Sequence, residues 1–138
     1  MNSQDNPQAA VAGDSQTGLP TGEIFLEALA RRDFDGMAQC LAPDVRFRAL
    51  LPPRDVDVIG PDATLEEFRH WFGGDAETLE LVDATVGEVG TRLYLRWRVR
   101  LSPVDGVGEA RLVEQHAFAS VGERIETLSL LCSGFVEG

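Results

Sequence analysis

The sequence predicts one α+β domain in which helices pack on a single curved antiparallel sheet. Three observations indicate this class: helical periodicity is confined to the first half of the chain, long alternating segments fill the second half, and turn residues separate those segments. A length of 138 residues fits a single domain. We expect residues 21–138 to form it. Residues 1–20 are rich in Asn, Gln, Ser, Ala and Gly, which predicts a disordered lead-in.

Three helices are predicted in the first half. The first has Thr21 as its N-cap and repeats apolar residues at helical spacing: Ile24, Phe25, Ala28 and Leu29. Asp33 caps a second, short helix, which Pro43 ends. The third runs from about Thr64 to Phe72 and stops at two glycines. These helices are expected to cover one face of the sheet.

The strands are predicted from alternating apolar and polar residues. They are Val45 to Ala49, Leu79 to Val86, Arg92 to Leu101, Glu109 to Ser120 and Ile125 to Phe135. Leu50 to Asp55 is predicted to be a loop because it contains two prolines. In Arg92 to Leu101, five apolar residues including Trp97 share one face. We therefore expect Arg96, Arg98 and Arg100 to point outward, either paired with carboxylates or packed in a dimer interface.

Composition and charge exclude several classes of partner. The net charge is −11, which disfavours nucleic acid and anionic membrane surfaces. No apolar run approaches the ~20 residues of a membrane span, and no secretory signal is visible, so we expect a cytoplasmic protein. The two cysteines, Cys40 and Cys132, have no metal-like spacing. Neither a metal nor another cofactor is expected.

One strand carries the best candidate for acid–base chemistry. Its two faces are Leu112, Glu114, His116, Phe118 and Val113, Gln115, Ala117, Ala119. The first face has the larger apolar groups, so we predict that it points toward the helices. A carboxyl and an imidazole would then lie ~6–7 Å apart at Cβ inside the fold, as general acid–base catalysis requires. The alternatives are a solvated pair on the outer face or a satisfied structural pair.

The order of local phrases resembles the NTF2-like superfamily, in particular its SnoaL-like branch. The phrases are FLEALARRDFDGMAQCLAPDVRF, GPDATLEEF, LYLRWRVRL and GERIETLSLL. The resemblance runs from about Gly22 to Phe135. It implies a cone, in which a strongly curved sheet wraps about three N-terminal helices and leaves a cavity at the open end.

The resemblance does not transfer any catalytic machinery intact. The positions at which ketosteroid isomerases carry Tyr, Asp and Asp fall on Phe25, Ala49 and Glu114. The positions at which epoxide hydrolases of this fold carry Arg, Asp and Asp fall on Trp97, Val99 and Leu130. The His and the acid of SnoaL-like cyclases fall near His116 and on Leu130. Only Glu114 and His116 keep a suitable chemical group.

The predicted function is binding of a hydrophobic polyketide-, terpenoid- or steroid-like molecule. The predicted lining is Phe25, Phe47, Ala49, Trp97, Val99, Phe118, Leu128, Leu130 and Cys132. If the protein is an enzyme, Glu114 and His116 would transfer protons in an isomerisation, cyclisation or dehydration. The alternative is a non-catalytic binding or dimerisation module. A homodimer is expected through the outer sheet face, using the Arg row with Val113, Ala117 and Leu131.

Overall fold

The computed structural model describes residues 18–51 and 54–137, which form three helices and one sheet. The helices are α1 (Leu19–Ala30), α2 (Phe34–Gln39) and α3 (Pro61–Phe72). The strands are β1 (Leu41–Leu51), β2 (Arg54–Ile59), β3 (Glu77–Val89), β4 (Arg92–Pro103), β5 (Arg111–Val121), β6 (Ile125–Cys132) and β7 (Val136–Glu137). Helix α1 begins inside the predicted lead-in, and residues 1–17 of that lead-in lie outside the described residues.

Local chemistry explains where the helices begin. Pro20 lies in the first turn of α1, where its missing N–H costs nothing. Asp33 caps α2 by accepting a hydrogen bond from the Gly36 N–H at 2.9 Å. Helix α3 starts at Pro61 after Gly60, whose φ of 100° requires a glycine. These starts agree with the predicted helices to within a few residues, but the predicted cap of α1 is wrong, because the helix begins after Gly18 and Thr21 lies within it.

The sheet has the order β2-β1-β6-β5-β4-β3, with β7 paired to β5. All pairs are antiparallel except β1 with β6, which run parallel. Register shifts interrupt three of the pairs, and such bulges bend and twist a sheet. The prediction of an α+β fold with helices on a curved sheet is confirmed, and the single parallel pair is the exception to its antiparallel character.

The hairpin of β1 and β2 corrects one predicted element. Residues predicted to be a loop extend β1 to Leu51 and begin β2 at Arg54, and Val56 pairs with Ala49 in the ladder. This strand was not predicted from the sequence because it contains Asp55 and Asp57, and aspartate is rare in strands. The Asp57 carboxylate is held here by the Arg46 guanidinium at 2.8 Å, across the hairpin. Prolines 52 and 53 lie outside the described residues.

Helices α1 and α3 cover one face of the sheet, here called the inner face. Its core residues alternate along the strands, as in β4, where Leu93, Leu95, Trp97, Val99 and Leu101 are all buried. The other face, the outer face, carries the intervening residues and is only partly shielded. None of the helices in the described part of the chain is long and apolar enough to cross a membrane.

Candidate functional site

Most of the predicted ligand-binding residues converge on the inner face. Seven of the nine are no more than 2% exposed and belong to one buried cluster: Phe25, Phe47, Ala49, Trp97, Val99, Leu128 and Leu130. They come from α1, β1, β4 and β6. An eighth, Cys132, lies at the end of β6 opposite the inner-face residue Gln115 and is half-buried. Eight of the nine residues therefore lie on or beside the inner face, and seven of them belong to the packed core.

Aromatic rings occupy the space between α1, α3 and the sheet. The Phe25 ring centroid lies 6.3 Å from that of Trp97 and 5.9 Å, edge-on, from that of Phe68. Phe68 of α3 also meets Phe47 at 5.7 Å and Trp71 at 5.2 Å. Edge-to-face and tilted pairs of this kind add to the stabilisation from burial alone.

One buried amide interrupts this apolar surface, and the sequence analysis missed it. Gln115 of β5 is 0% exposed, and its Oε1 accepts the indole N–H of Trp97 at 2.7 Å. Its Nε2 donates to the Cys132 Sγ at 3.3 Å, and the Gly134 backbone N–H donates to the same sulfur at 3.4 Å. The sequence signalled only that the predicted buried Trp97 required a partner, because its pairing with Gln115 depends on the register of the ladder. A buried Trp needs an acceptor for its N–H.

Glu114, His116 and Phe118 lie on the outer face, which corrects their predicted inward orientation. The buried residues of β5 are instead Val113, Gln115, Ala117 and Ala119. The prediction took the larger apolar groups of β5 to be the inner ones. The prediction failed because it ignored the neighbouring strands. Their large side chains flank β5 on the inner face and leave little room there for the larger residues of β5. Val113 and Ala117 are consequently wrong as outer-face dimer residues.

On the outer face, Glu114 and His116 contact each other directly. The His116 Nε2 lies 2.7 Å from the Glu114 Oε2, and its Nδ1 lies 2.8 Å from the Tyr94 hydroxyl. Arg96 donates from Nε to the Glu114 Oε2 at 3.2 Å and from a terminal nitrogen to Asp83 at 3.0 Å. The sequence did not indicate Tyr94, which joins this network from the neighbouring strand.

The charges of this network reinforce one another. The hydrogen bond from His116 is the largest cause that lowers the pKa of Glu114 below its ordinary 4.5, and the Arg96 guanidinium lowers it further. The hydrogen bond to Glu114 in turn raises the pKa of Arg96. Glu114 is therefore an ionised carboxylate at neutral pH and is not poised as a general acid.

The arginine row of β4 points outward, as the alternation of β4 predicts. Arg98 donates to Asp83 at 3.0 Å, and Arg100 donates to Glu80 at 3.0 Å. With Arg96 they form a ladder of ion pairs along β3, β4 and β5. Because carboxylates already engage each guanidinium, this row is not a vacant anion site.

The outer face also carries an apolar groove of about 330 Å³ beside this network. Its lining includes Leu50, Phe118 and Leu131, together with Ala49 and Leu130 of the predicted ligand set. Leu131 pairs with His116 across β6 and β5, so the groove adjoins the network. Leu50 and Leu131 pair across β1 and β6 and are 59% and 53% exposed, so the groove presents apolar surface to solvent.

The other side chains that could carry chemistry, Cys40 and His70, show no sign of a reactive site. Burial raises the pKa of the Cys40 thiol, which makes it less nucleophilic. His70 is exposed at the end of α3. Within residues 18–51 and 54–137, no three His, Cys, Asp or Glu side chains are grouped so that they could hold a metal ion.

The helix order, the curved sheet and the enclosed inner face define an NTF2-like α+β cone. The family model described as the SnoaL-like domain matches residues 23–125. The chain therefore belongs to the SnoaL-like family. No protein of curated function matches it significantly.

Solved structures support the same fold. An NTF2-like protein from Anabaena variabilis superposes with a TM-score of 0.69 at 15% identity, covering 90% of this chain and 95% of its own. A proposed polyketide cyclase from Xanthomonas campestris gives 0.64 at 23% identity, with coverage of 85% and 92%. An LEH-like epoxide hydrolase from M. tuberculosis gives 0.61 at 17% identity, with coverage of 84% and 82%. At these identities the likeness concerns the fold alone.

Proposed function

We propose that this SnoaL-like protein binds a hydrophobic small molecule of polyketide-, terpenoid- or steroid-like character against the inner face of the sheet. The buried amide of Gln115 carries the proposal. A glutamine amide offers two N–H donors and an oxygen with two lone pairs. Gln115 uses one lone pair for Trp97 and one donor for a sulfur, which is a weak acceptor. Donor capacity is thus left for a ligand carbonyl or hydroxyl oxygen.

The surroundings of the amide fit the same class of ligand. Apolar walls with a few placed polar groups are typical of small-molecule sites. On the neighbouring strand β4, Trp97 lies directly opposite Gln115 and Val99 lies two residues further along. Phe25 of α1 packs against Trp97. An apolar ligand with one oxygen acceptor would match both the walls and the amide, and it would have to separate the packed rings to bind, because Phe25, Trp97 and Gln115 are fully buried.

The inner face favours binding over catalysis. The buried polar side chains among the described residues are Thr64 and Gln115, and the Thr64 hydroxyl donates to the Gly60 carbonyl at 2.8 Å. An amide neither gives up nor takes a proton near neutral pH. Glu114 and His116, the pair proposed for proton transfer, lie on the opposite face. We therefore favour the binding module over the isomerase, cyclase or dehydratase.

The binding proposal can be tested with a steroid ketone and the matching hydrocarbon, which lacks the oxygen. Binding is followed by the fluorescence of the two tryptophans, both of which are buried in the aromatic cluster. We expect Gln115→Leu to weaken binding of the ketone by roughly 10-fold, the worth of one hydrogen bond, and to leave the hydrocarbon unaffected. Arg100→Ala on the outer face is the matched control.

Two results would contradict the proposal. One is equal affinity of the wild type and Gln115→Leu for the ketone. The other is loss of ketone binding on Arg100→Ala, which would move the ligand to the outer face.

We also propose a homodimer through the outer face. The outer-face charges of β1 to β5 balance, with six arginines against six carboxylates: Arg46, Arg48, Arg92, Arg96, Arg98 and Arg100 against Asp44, Asp55, Asp57, Glu80, Asp83 and Glu114. The whole chain carries −11. A second copy can therefore approach this face with the least repulsion, and Leu50, Phe118 and Leu131 give it an apolar surface to cover.

Light scattering tests the dimer. The chain has a mass of 15.0 kDa, so a particle of about twice that mass is expected at tens of micromolar. Leu131→Arg should reduce the particle to one chain, whereas Val104→Arg, at an exposed position in the turn after β4, should not.

A further inference from the structure

His116 occupies a position in which both ring nitrogens are engaged while the imidazole is neutral. In that state the Tyr94 hydroxyl donates to Nδ1 across 2.8 Å, and the Nε2–H donates to Glu114 across 2.7 Å. A protonated imidazole would carry a hydrogen on Nδ1 as well. Tyr94 would then have to accept, and its own O–H would lose its partner. The hydrogen-bond chain is therefore complete with neutral His116 alone.

The charges around His116 also balance only when it is neutral. The groups that face it or its partners are Asp83 from β3, Tyr94, Arg96 and Arg98 from β4, and Glu114 from β5. Its neighbour on β6 is the apolar Leu131. Two guanidinium groups against two carboxylates give a net charge of zero. One proton on His116 raises the cluster to +1.

We propose that the homodimer dissociates in mild acid because His116 gains a proton inside the interface. This inference rests on the proposed homodimer through the outer face. In an interface with twofold symmetry, each surface meets a copy of itself. Protonation would therefore leave one uncompensated positive charge on each side of the interface, and desolvating such a charge costs free energy.

Glu114 stays charged over the pH range in question. Its pKa is lowered below the ordinary value of 4.5 by His116 and by Arg96. Imidazole is the side chain whose charge ordinarily changes between about pH 5 and 8. In that interval the carboxylate partner of His116 keeps its negative charge.

The predicted weakening of the dimer in mild acid is opposite to the change that the overall charge of the chain would cause. The chain carries −11 near neutral pH, so acidification reduces the general repulsion between two copies. Overall charge alone would therefore tighten the dimer at lower pH. A dimer that becomes weaker at lower pH would therefore point to the protonation of His116 and not to the overall charge.

Sedimentation equilibrium at about pH 8 and about pH 5.5 tests the inference. We expect the dimer dissociation constant of the wild type to rise at least ~10-fold on acidification, given the cost of desolvating an uncompensated charge. His116→Asn should lose this rise. His70→Asn removes the other histidine of the chain, on α3, and should keep it. If His116→Asn does not dimerise at all, the inference is still tested by His116→Gln and by whether the wild-type dissociation constant rises or falls on acidification.

The outcomes separate the two proposals. A wild type that is monomeric at both pH values overturns the homodimer and the inference with it. A wild-type dimer whose dissociation constant is unchanged or smaller at the lower pH overturns the inference and leaves the homodimer standing. A rise that persists in both His116 variants assigns the effect to another group and also overturns the inference.

Discussion

The inner and outer faces of this sheet are built from the same strands and carry opposite chemistry. Along β4, Trp97 and Val99 are fully buried against the helices, while Arg96 and Arg98 engage carboxylates on the other side. The inner face is held by packing, and its one buried amide is partnered by an indole. The outer face is held by exposed ion pairs, each of which contributes little. The stability of the domain should therefore depend on the inner face.

Two adjacent strands show when this division can be predicted. In β4 every residue of one set is large and apolar and nearly every residue of the other is charged, so the orientation is unambiguous. In β5 both sets are mixed, and the outer set contains the larger apolar residues. The ladder explains this: Ala119 lies opposite Leu93, Ala117 opposite Leu95, and Gln115 opposite Trp97. The two alanines face leucines, as close packing requires, and the glutamine faces the indole to which it is hydrogen-bonded.

Trp97→Ala provides the largest test of the inner face. We expect a loss of about 3–5 kcal/mol in the free energy of unfolding, since a fully buried indole is removed and a cavity is left. The Gln115 oxygen would also lose its donor. Urea unfolding followed by circular dichroism gives the value. A loss below ~1 kcal/mol would show that the inner face is loosely packed around this ring.

How far the sequence predicts the molecule can be seen at particular residues. The helices, the orientation of β4 and seven inner-face residues follow from periodicity, because burial imposes a period of 3.6 or 2. The orientation of β5 does not, because it depends on the sizes of neighbours from other strands. The contact of His116 with Tyr94 likewise depends on register between β4 and β5. Alternation within one strand carries no information about register.

Arg98→Ala tests the outer face at the neighbouring position. Its guanidinium lies 3.0 Å from Asp83 and 3.7 Å from Glu114, and more than a third of the side chain is exposed. Because solvent screens such pairs, we expect a loss of less than ~1 kcal/mol in the same unfolding measurement. The ratio of the Trp97 and Arg98 effects measures the contrast between the faces. If both variants lost the same free energy of unfolding, the two faces would contribute equally to stability.

The smallest expected effect concerns the pH dependence contributed by Glu114. Its pKa in the folded protein is lowered from 4.5, first by the His116 hydrogen bond and then by Arg96. A lowered carboxyl pKa stabilises the fold above the unfolded-state value, and this stabilisation is lost as the pH falls below about 4.5 through the folded-state value. His116→Ala removes the largest cause, so the Glu114 pKa should rise toward 4.5.

Carbon-13 NMR titration of the Glu114 side-chain carboxyl measures this midpoint directly. Arg100→Ala is the control, because Arg100 pairs with Glu80 and should leave Glu114 unchanged. A midpoint that does not move in His116→Ala would mean that Arg96 alone sets the charge of Glu114. In that case the contact between His116 and Glu114 would be weak in solution, and the outer face would consist of independent ion pairs without a connected network. A rise in His116→Ala would instead show that His116 and Glu114 are coupled in solution, as the proposed interface requires.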